Sequence, residues 1–166
     1  GLDSGKAAGV IGHSQGILGR YLMREPQHAA ELLALAELIG AAATLQGRAT
    51  GMYLHDDLHP MVMVQGVSRG QLAAVIDELF PADSADRPCI GLPNSADGFV
   101  VSGKPELVAR VCGVLSDTVK DENGQTPENL LWRMDVEVGL HHPAMLPAVA
   151  QGAEWAAACG LAAGQA

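Results

Sequence analysis

Residues 7–16 read AAGVIGHSQG, an apolar run that leads into a serine flanked by glycines. The first five of these residues have the length and composition of a buried parallel strand. Apolar residues then recur at helical spacing from Ile17 to Leu22, until Pro26 ends the pattern. Strand, tight turn and helix in this order are typical of a nucleophile elbow. The stretch therefore predicts an α/β protein with Ser14 exposed at the turn.

The residues around Ser14 supply what a nucleophilic serine needs. A hydroxyl is a weak nucleophile until a base removes its proton, and the carbonyl that it attacks needs donors for the developing oxyanion. Gly12 and Gly16 permit the tight turn, and the helix N-terminus favours negative charge. The backbone N–H of Gln15 is the predicted oxyanion donor. His13 lies beside the nucleophile and points away from the position of a base, so we assign it to the substrate-binding residues.

Composition narrows the class of protein. The chain has 166 residues with 48% hydrophobic and 4% aromatic residues, enough for one domain with or without an inserted lobe. The formal charge of -9 disfavours nucleic acid as a partner. Three widely spaced cysteines predict neither a disulfide framework nor a metal motif, which favours a reducing, cytoplasmic setting. No run of about 18 uninterrupted apolar residues occurs, so we expect no membrane partner.

The second half of the chain has a different periodicity. It predicts elements in the order β-α-β-β-α-β, which is typical of a ferredoxin-like lobe. These elements are strands at 61–67, 89–92, 99–102 and 132–138 and helices at 69–80 and 104–117. Further helices are predicted at 27–48 and 144–159. The predicted architecture is an α/β-hydrolase-like body, residues 1–57 and 137–166, interrupted by a ferredoxin-like insert, residues 58–136.

The base for Ser14 must be a histidine that is distant in sequence. His141 and His142 follow a strand end and precede a helix, which is where active-site loops lie in α/β proteins, so one of them is predicted to be the base. His28 falls on a helix surface. His55 and His59 have the spacing of a metal pair, but they lie outside a helix, which favours a solvated loop. We therefore predict no metal site.

Taken in order, these motifs resemble the acyltransferase domains of type I fatty-acid synthases and the related malonyl-CoA:ACP transacylases. The resemblance covers nearly the whole chain and includes the GHSQG elbow at residues 12–16. It continues with the Asn94-Ser95 turn before the FVVSG strand at 99–103, and with GLHHPAMLPA at 139–148. Within that last motif, the resemblance selects His141 rather than His142 as the base.

The resemblance implies a ping-pong mechanism without a resident cofactor. Ser14 would take an acyl group from coenzyme A as an ester and pass it to the phosphopantetheine thiol of acyl carrier protein. His141 would serve both steps, held by backbone or amide groups rather than by an acid. Asn94 is expected either to line the acyl channel or to act only as a turn residue.

The resemblance also implies partners. These are acyl carrier protein and the other domains of a fatty-acid synthase, within a larger homo-oligomeric assembly. The carrier protein is acidic, as this chain is, so we expect either a local basic patch around Arg20 and Arg24 or a tethered carrier.

Two departures from the family pattern carry expectations. Malonyl-specific members have an arginine on the helix after the elbow, and the ungapped alignment puts Ile39 there. We therefore expect an acetyl or other uncharged acyl donor, with Ile39 among the substrate-binding residues. The family's segments before the elbow strand and after the last helix are also missing, so we expect a fragment of a transferase domain that is weakly active or inactive alone.

Two other functions fit parts of the sequence. An α/β-hydrolase such as an esterase or thioesterase shares the elbow, and it would need an acid such as Asp117, Asp121 or Asp135. Such an acid would place a carboxylate on the His141 ring, whereas a transferase would place an amide or carbonyl there. A non-catalytic fragment of a synthase would bury or disorder Ser14.

Overall fold

The computed structural model describes residues 26–161. The predicted strand and elbow, with His13, Ser14 and Gln15, lie outside the described residues, as do Arg20 and Arg24. The chain divides into two compact units. The larger is Ala43–Val149, and the described part of the smaller consists of residues 26–42 and 150–161.

The described residues form a mixed helix and sheet structure. A 3-10 turn at Pro26–His28 leads into helix α1, Ala29–Thr50. The next elements are β1 (Met61–Gln65), α2 (Arg69–Leu79), β2 (Cys89–Pro93), β3 (Gly98–Ser102), α3 (Pro105–Thr118) and β4 (Leu131–Arg133). A second 3-10 turn at Pro143–Met145 precedes helix α4, Leu146–Ala158. The predicted order β-α-β-β-α-β is therefore the order found in residues 61–133.

The four strands form an antiparallel sheet in the order β2-β3-β1-β4. Successive side chains of a strand point to opposite faces, and one face of this sheet carries the hydrophobic core with α2 and α3. Buried members of this core are Val62, Val64, Leu72, Ile76, Phe99, Val101, Val108, Val111 and Leu115. We call this the helix face. The opposite face, called the second face here, carries Met61, Met63, Val100 and Ser102.

Local signals account for where α2 and α3 begin. Ser68 accepts a hydrogen bond from the backbone N–H of Gln71, whose side chain accepts one from the Ser68 N–H. This capping box satisfies two donors that a helix start otherwise leaves unpaired. Pro105 occupies the first turn of α3, where its missing N–H is not needed.

The predicted strand at 132–138 is wrong beyond Arg133. The N–H of Val136 donates to the carbonyl of Met134 at 2.9 Å, a three-residue turn that removes this segment from the ladder. Only Val138 pairs again, in an isolated bridge to Tyr53. The sequence does not reveal this turn, because apolar and polar residues continue to alternate through it.

The larger unit extends beyond the predicted insert. Residues 43–57 and 137–149 belong to it. Met52 is buried, and its carbonyl accepts from the Gly139 N–H at 2.9 Å, which joins these two segments. The hydrolase-like body and its boundaries at 57 and 137 stay a prediction.

In the described part of the chain, helix α1 has the length and composition of a membrane-crossing segment. It has 22 residues, and an 18-residue stretch within it reaches a mean hydropathy of 1.4. Glu37 falls near its middle, where a carboxylate in lipid would cost about 2.5–3.5 kcal/mol. Length and hydropathy alone also fit a helix in a soluble protein, so the expectation of no membrane partner stays a prediction.

Candidate active site

The segment that carries His141 lies on the second face of the sheet. Ser102 is fully buried there, and its hydroxyl donates to the carbonyl of Leu140 at 2.6 Å. Gly139 comes so close that a Cβ added to it would lie 3.3 Å from Ser102 Oγ and 3.2 Å from Met52 Cβ. The chain before His141 is therefore fixed directly against β3.

Strand β2 fixes His141 itself. The thiol of Cys89 donates to the carbonyl of His141, with Sγ 3.4 Å from the oxygen. The pairing of β2 with β3 shifts register between Ile90 and Leu92, which makes Gly91 the extra residue of a β-bulge. A Cβ on Gly91 would lie 2.8 Å from His141 Cβ and 2.9 Å from its carbonyl oxygen. No residue larger than glycine fits there unless His141 moves.

The backbone of His141 is left-handed, with a φ of +64°. This conformation costs a residue other than glycine roughly 1–2 kcal/mol, so the surrounding contacts must hold it. The side chain of His141 is exposed. Backbone strain of this kind clusters at functional positions, where it aims a side chain.

His142 has a different environment, buried with only 5% of its surface exposed. Its Nδ1 accepts from the N–H of Ala144 at 3.1 Å, and its Nε2 lies 3.0 Å from the carbonyl of Arg87. We assign the proton to Nε2, because Nδ1 acts as an acceptor. Both ring nitrogens are thus engaged, and His142 is unsuited to act as a base. The assignment of that role to His141 stays a prediction.

Asn94 lies in the predicted turn, and its expected role in an acyl channel stays a prediction. Its N–H donates to the carbonyl of Gly98 at 2.8 Å, which closes the turn between β2 and β3. Its side-chain nitrogen lies 3.3 Å from the sulfur of Met63, on the second face. A turn residue and a residue lining that face are both compatible with this placement.

A row of apolar residues crosses the second face beside Asn94. Strand pairing aligns Trp132 with Met63, Met63 with Val100, and Val100 with Leu92. Directly opposed residues share a face, so the row spans all four strands. A neighbouring row on the same face contains Ser102, which holds the His141 segment. It lies two residues further along the strands than the apolar row, a distance of about 6.6 Å. Trp132 is 69% exposed, so the apolar row remains accessible at its β4 end.

Ile39 lies in α1, within the smaller unit, and is 42% exposed. A Cβ on Gly152 of α4 would lie 3.2 Å from Ile39 Cγ1, so the isoleucine packs closely against that helix. The partner that its predicted role requires, Ser14, lies outside the described residues. The substrate-binding role of Ile39 therefore stays a prediction.

The other described histidines, His28, His55 and His59, contact other groups. His28 belongs to the 3-10 turn before α1 and contacts Glu31 at 3.2 Å. His55 approaches Glu106 at 3.8 Å, and His59 Nδ1 lies 3.0 Å from the carbonyl of Met134. Within residues 26–161, no three His, Cys, Asp or Glu side chains are grouped closely enough to hold a metal ion.

Burial keeps the Cys89 thiol protonated. Desolvation raises the pKa of Cys89 to about 11, from an ordinary value of 9.0. The thiol therefore remains a hydrogen-bond donor to the His141 carbonyl across the physiological range. Desolvation likewise raises the pKa of Cys112 to about 11, although nearby Arg133 lowers it in part.

Of the three candidates for the single acid that a hydrolase would need, Asp117 lies away from this segment and Asp121 is bonded within its own loop. Asp117 lies on α3, which packs on the helix face, whereas the His141 segment lies on the second face. Asp121 accepts from the backbone N–H groups of Gln125 and Asn123 in the loop after α3. These bonds, that of Gln125 foremost, lower the pKa of the Asp121 carboxyl. Asp135 is exposed in the segment after β4 and is not separated in this way.

Sequence reasoning proposed His141 as the base, which stays a prediction, and missed the residues that hold its backbone. Ser102, Cys89 and Gly91 carry no motif of their own. An isolated glycine inside an apolar strand pattern is typical of a bulge or of a close backbone approach, so Gly91 was the one detectable signal.

The comparison with solved structures finds an acyltransferase fold. The crystal structure of the acyltransferase domain of the iterative polyketide synthase in enediyne biosynthesis matches with a TM-score of 0.61 and 19% sequence identity. The match covers 92% of this chain and 34% of the other, so this chain spans about a third of that protein's length. No protein-family model matches the chain, and no curated protein matches its sequence.

Proposed function

We propose that this chain is part of a serine acyltransferase domain, which consists of an α/β-hydrolase-like body with a ferredoxin-like insert. It would move an acyl group, by preference acetyl, from coenzyme A to the phosphopantetheine thiol of acyl carrier protein in fatty-acid synthesis. The observation that carries this proposal is the held, left-handed His141 in a segment that follows the lobe. The acyltransferase fold and the GHSQG sequence around Ser14 support it.

The proposed chemistry has two half-reactions. In the first, His141 takes the proton of Ser14, and Ser14 Oγ attacks the thioester carbonyl while the N–H of Gln15 stabilises the oxyanion. The tetrahedral intermediate then collapses, the C–S bond breaks, and the proton on His141 passes to the coenzyme A thiolate. In the second, His141 takes the proton of the phosphopantetheine thiol. The thiolate attacks the Ser14 ester, and Ser14 leaves with the proton from His141.

The preference for an uncharged acyl group depends on Ile39. A malonyl carboxylate needs a cationic partner, because an unpaired charge that is removed from water costs several kcal/mol. An isoleucine packed against α4 offers no donor to such a carboxylate. An acetyl group carries no charge and needs no such partner.

The apolar row on the second face is the proposed support for the acyl or pantetheine arm. It lies about 6.6 Å from the row that holds the His141 segment. Asn94 at its edge offers an amide to the amide groups of a pantetheine arm. Trp132 provides an exposed apolar surface at the other end. This geometry favours a long substrate arm over the compact ester of a small esterase substrate.

A cytoplasmic setting and a multidomain synthase follow from the same proposal. The solved neighbour is a domain of a synthase, which supports other synthase domains and a carrier protein as partners. The proposal also includes a homo-oligomeric assembly and a basic patch at Arg20 and Arg24 that would bind the carrier protein.

The test is the mass of the chain after exposure to acyl donors. We expect acetyl-CoA to add one acetyl group at Ser14, and malonyl-CoA to add less. Ser14→Ala should abolish the addition. A single-turnover mass measurement registers one acyl group per chain even when turnover is slow. Preferential malonylation would contradict the role of Ile39, and addition to Ser14→Ala would contradict the role of Ser14.

A further inference from the structure

We propose that His142 is a positioning residue that holds His141 in its left-handed conformation. This inference rests on the proposed function, since it assigns a purpose to the geometry of the proposed base. The starting observation is that the residue directly after His141 is a buried histidine with both ring nitrogens bonded.

The two bonds of His142 join separate parts of the chain. Nε2–H donates to the carbonyl of Arg87, immediately before β2, while Nδ1 accepts from Ala144 in the 3-10 turn before α4. Arg87 is itself anchored, because its guanidinium forms an ion pair with Asp77 of α2. The His142 ring therefore ties the segment after His141 to the lobe.

Successive peptide groups of this segment are fixed by different partners. Ser102 holds the carbonyl of Leu140, and Cys89 holds the carbonyl of His141. The side chain of Gln46 in α1 donates to the carbonyl of Ala144 at 2.6 Å. His142 binds through its buried ring as well as through its carbonyl, which accepts from the Met145 N–H at 2.9 Å.

The energetic argument follows from the strained φ. A left-handed histidine gains roughly 1–2 kcal/mol by relaxing to a negative φ, and that change would rotate its side chain away. Two hydrogen bonds from a buried ring, each with a net contribution of about 0.5–1.5 kcal/mol, are of the size needed to prevent the relaxation. A base displaced by about 1 Å loses on the order of 100-fold in rate.

A groove lies beside the His142 ring, so other side chains can be placed at this position without overpacking the core. A cavity of about 640 Å³ is lined by Arg69, Ile76, Arg87, Cys89, His142 and Ala144, among others. Substitutions of His142 therefore change its hydrogen bonds next to open space, which limits overpacking.

Three variants separate the two bonds. In His142→Asn the side-chain oxygen can accept from Ala144 but the side chain is too short to reach Arg87. In His142→Gln the amide nitrogen can reach the Arg87 carbonyl. His142→Phe keeps a ring and makes neither bond. His55→Phe, at an exposed histidine, is the matched control.

The measurement is single-turnover acetylation of Ser14 at varied acetyl-CoA in the full chain, with thermal unfolding of each variant. We expect His142→Phe to lower the maximal rate about 100-fold. The half-saturating concentration should stay within about twofold, and Asn and Gln should give intermediate rates. His55→Phe should match the wild type. A folded His142→Phe, Asn or Gln variant with the wild-type rate would overturn the inference.

Two further readouts keep the outcomes separate. The ring ¹⁵N shifts of His142 in the unmodified chain should report a neutral ring protonated at Nε2, and a ring protonated at Nδ1 would overturn the inference even if every variant unfolds. His141→Ala tests the proposed function itself. An unchanged acetylation rate in that variant would refute the function and leave the hydrogen-bond assignment of His142 to the NMR result.

Discussion

At the scale of single residues, His141 combines an exposed imidazole with a backbone conformation that few side chains adopt. Asparagine adopts the left-handed region more readily than alanine. His141→Asn should therefore unfold at nearly the wild-type temperature, while His141→Ala should lose about 1 kcal/mol.

Both substitutions of His141 remove the proposed base, so both should slow Ser14 acetylation by about 10²–10⁴-fold. Chemical denaturation measures the stabilities and intact mass measures the rates. If the asparagine and alanine variants were equally stable, the backbone of His141 would not be left-handed in solution.

The cysteines give a residue-scale prediction with a pH dependence. Burial raises the pKa of Cys89 from 9.0 to about 11. Its thiolate fraction at pH 8 is therefore roughly 100-fold lower than that of a thiol with the ordinary pKa. Iodoacetamide should therefore modify the exposed Cys159 first, and the Cys89 rate should keep rising with pH up to about 11. Peptide mass mapping over time measures each site.

The sign of the linked stability follows from the same shift. The folded chain favours the protonated thiol of Cys89, so its contribution to stability is complete below pH 9.0 and is lost as pH rises towards about 11. Equal alkylation of Cys89 and Cys159 at pH 8 would show that the thiol is not buried as described.

The residues themselves left the base as either His141 or His142. Only the family resemblance selected His141. The physical distinction between His141 and His142 needs the fold, because His142 is buried and its Nε2 bond is to Arg87, 55 residues away in the chain. The role of Asn94, as a channel residue or a turn residue, could not be decided from sequence for the same reason. A turn position and a contact with Met63 are compatible in three dimensions.

At the scale of elements, the bulge in β2 makes the sharpest prediction. Gly91→Ala would place a methyl group 2.8 Å from His141 Cβ. Relieving this contact should cost about 1–3 kcal/mol of stability, and the shift of His141 should slow acetylation of Ser14. Denaturant unfolding and single-turnover acetylation measure the two effects.

Gly113→Ala is the control for this substitution. A Cβ on Gly113 of α3 meets nothing within 4 Å, and alanine favours the helix, so this variant should gain about 0.5–1 kcal/mol. Its acetylation rate should be unchanged. A Gly91→Ala chain as stable and as active as wild type would mean that the bulge does not hold His141.

Most elements of the lobe were predictable because their signals are local. The capping box at Ser68, the proline at the start of α3 and the alternating strands are all read within a few residues. The end of β4 was not predictable. It depends on the turn at Met134 and on pairing of Val138 with Tyr53, and the sequence pattern continues across both.

At the scale of the whole molecule, the described residues carry the fold but not the proposed nucleophile. The acyltransferase fold is found by comparison over 92% of the chain, whereas Ser14 and its elbow lie outside the described residues. The proposed base, His141, belongs to the described residues, and its left-handed backbone is held there. Under the proposed function, the site transfers acyl groups to a thiol rather than to water, and the apolar row beside His141 supports the pantetheine arm.

The most direct test follows the fate of the Ser14 acetyl ester. The isolated acetylated chain is mixed with phosphopantetheinylated carrier protein in water, and the acetyl group is located by mass over time. The proposal predicts transfer to the carrier thiol faster than release as acetate, with both suppressed in His141→Asn. Release of acetate at a rate that the carrier does not affect would instead identify a hydrolase.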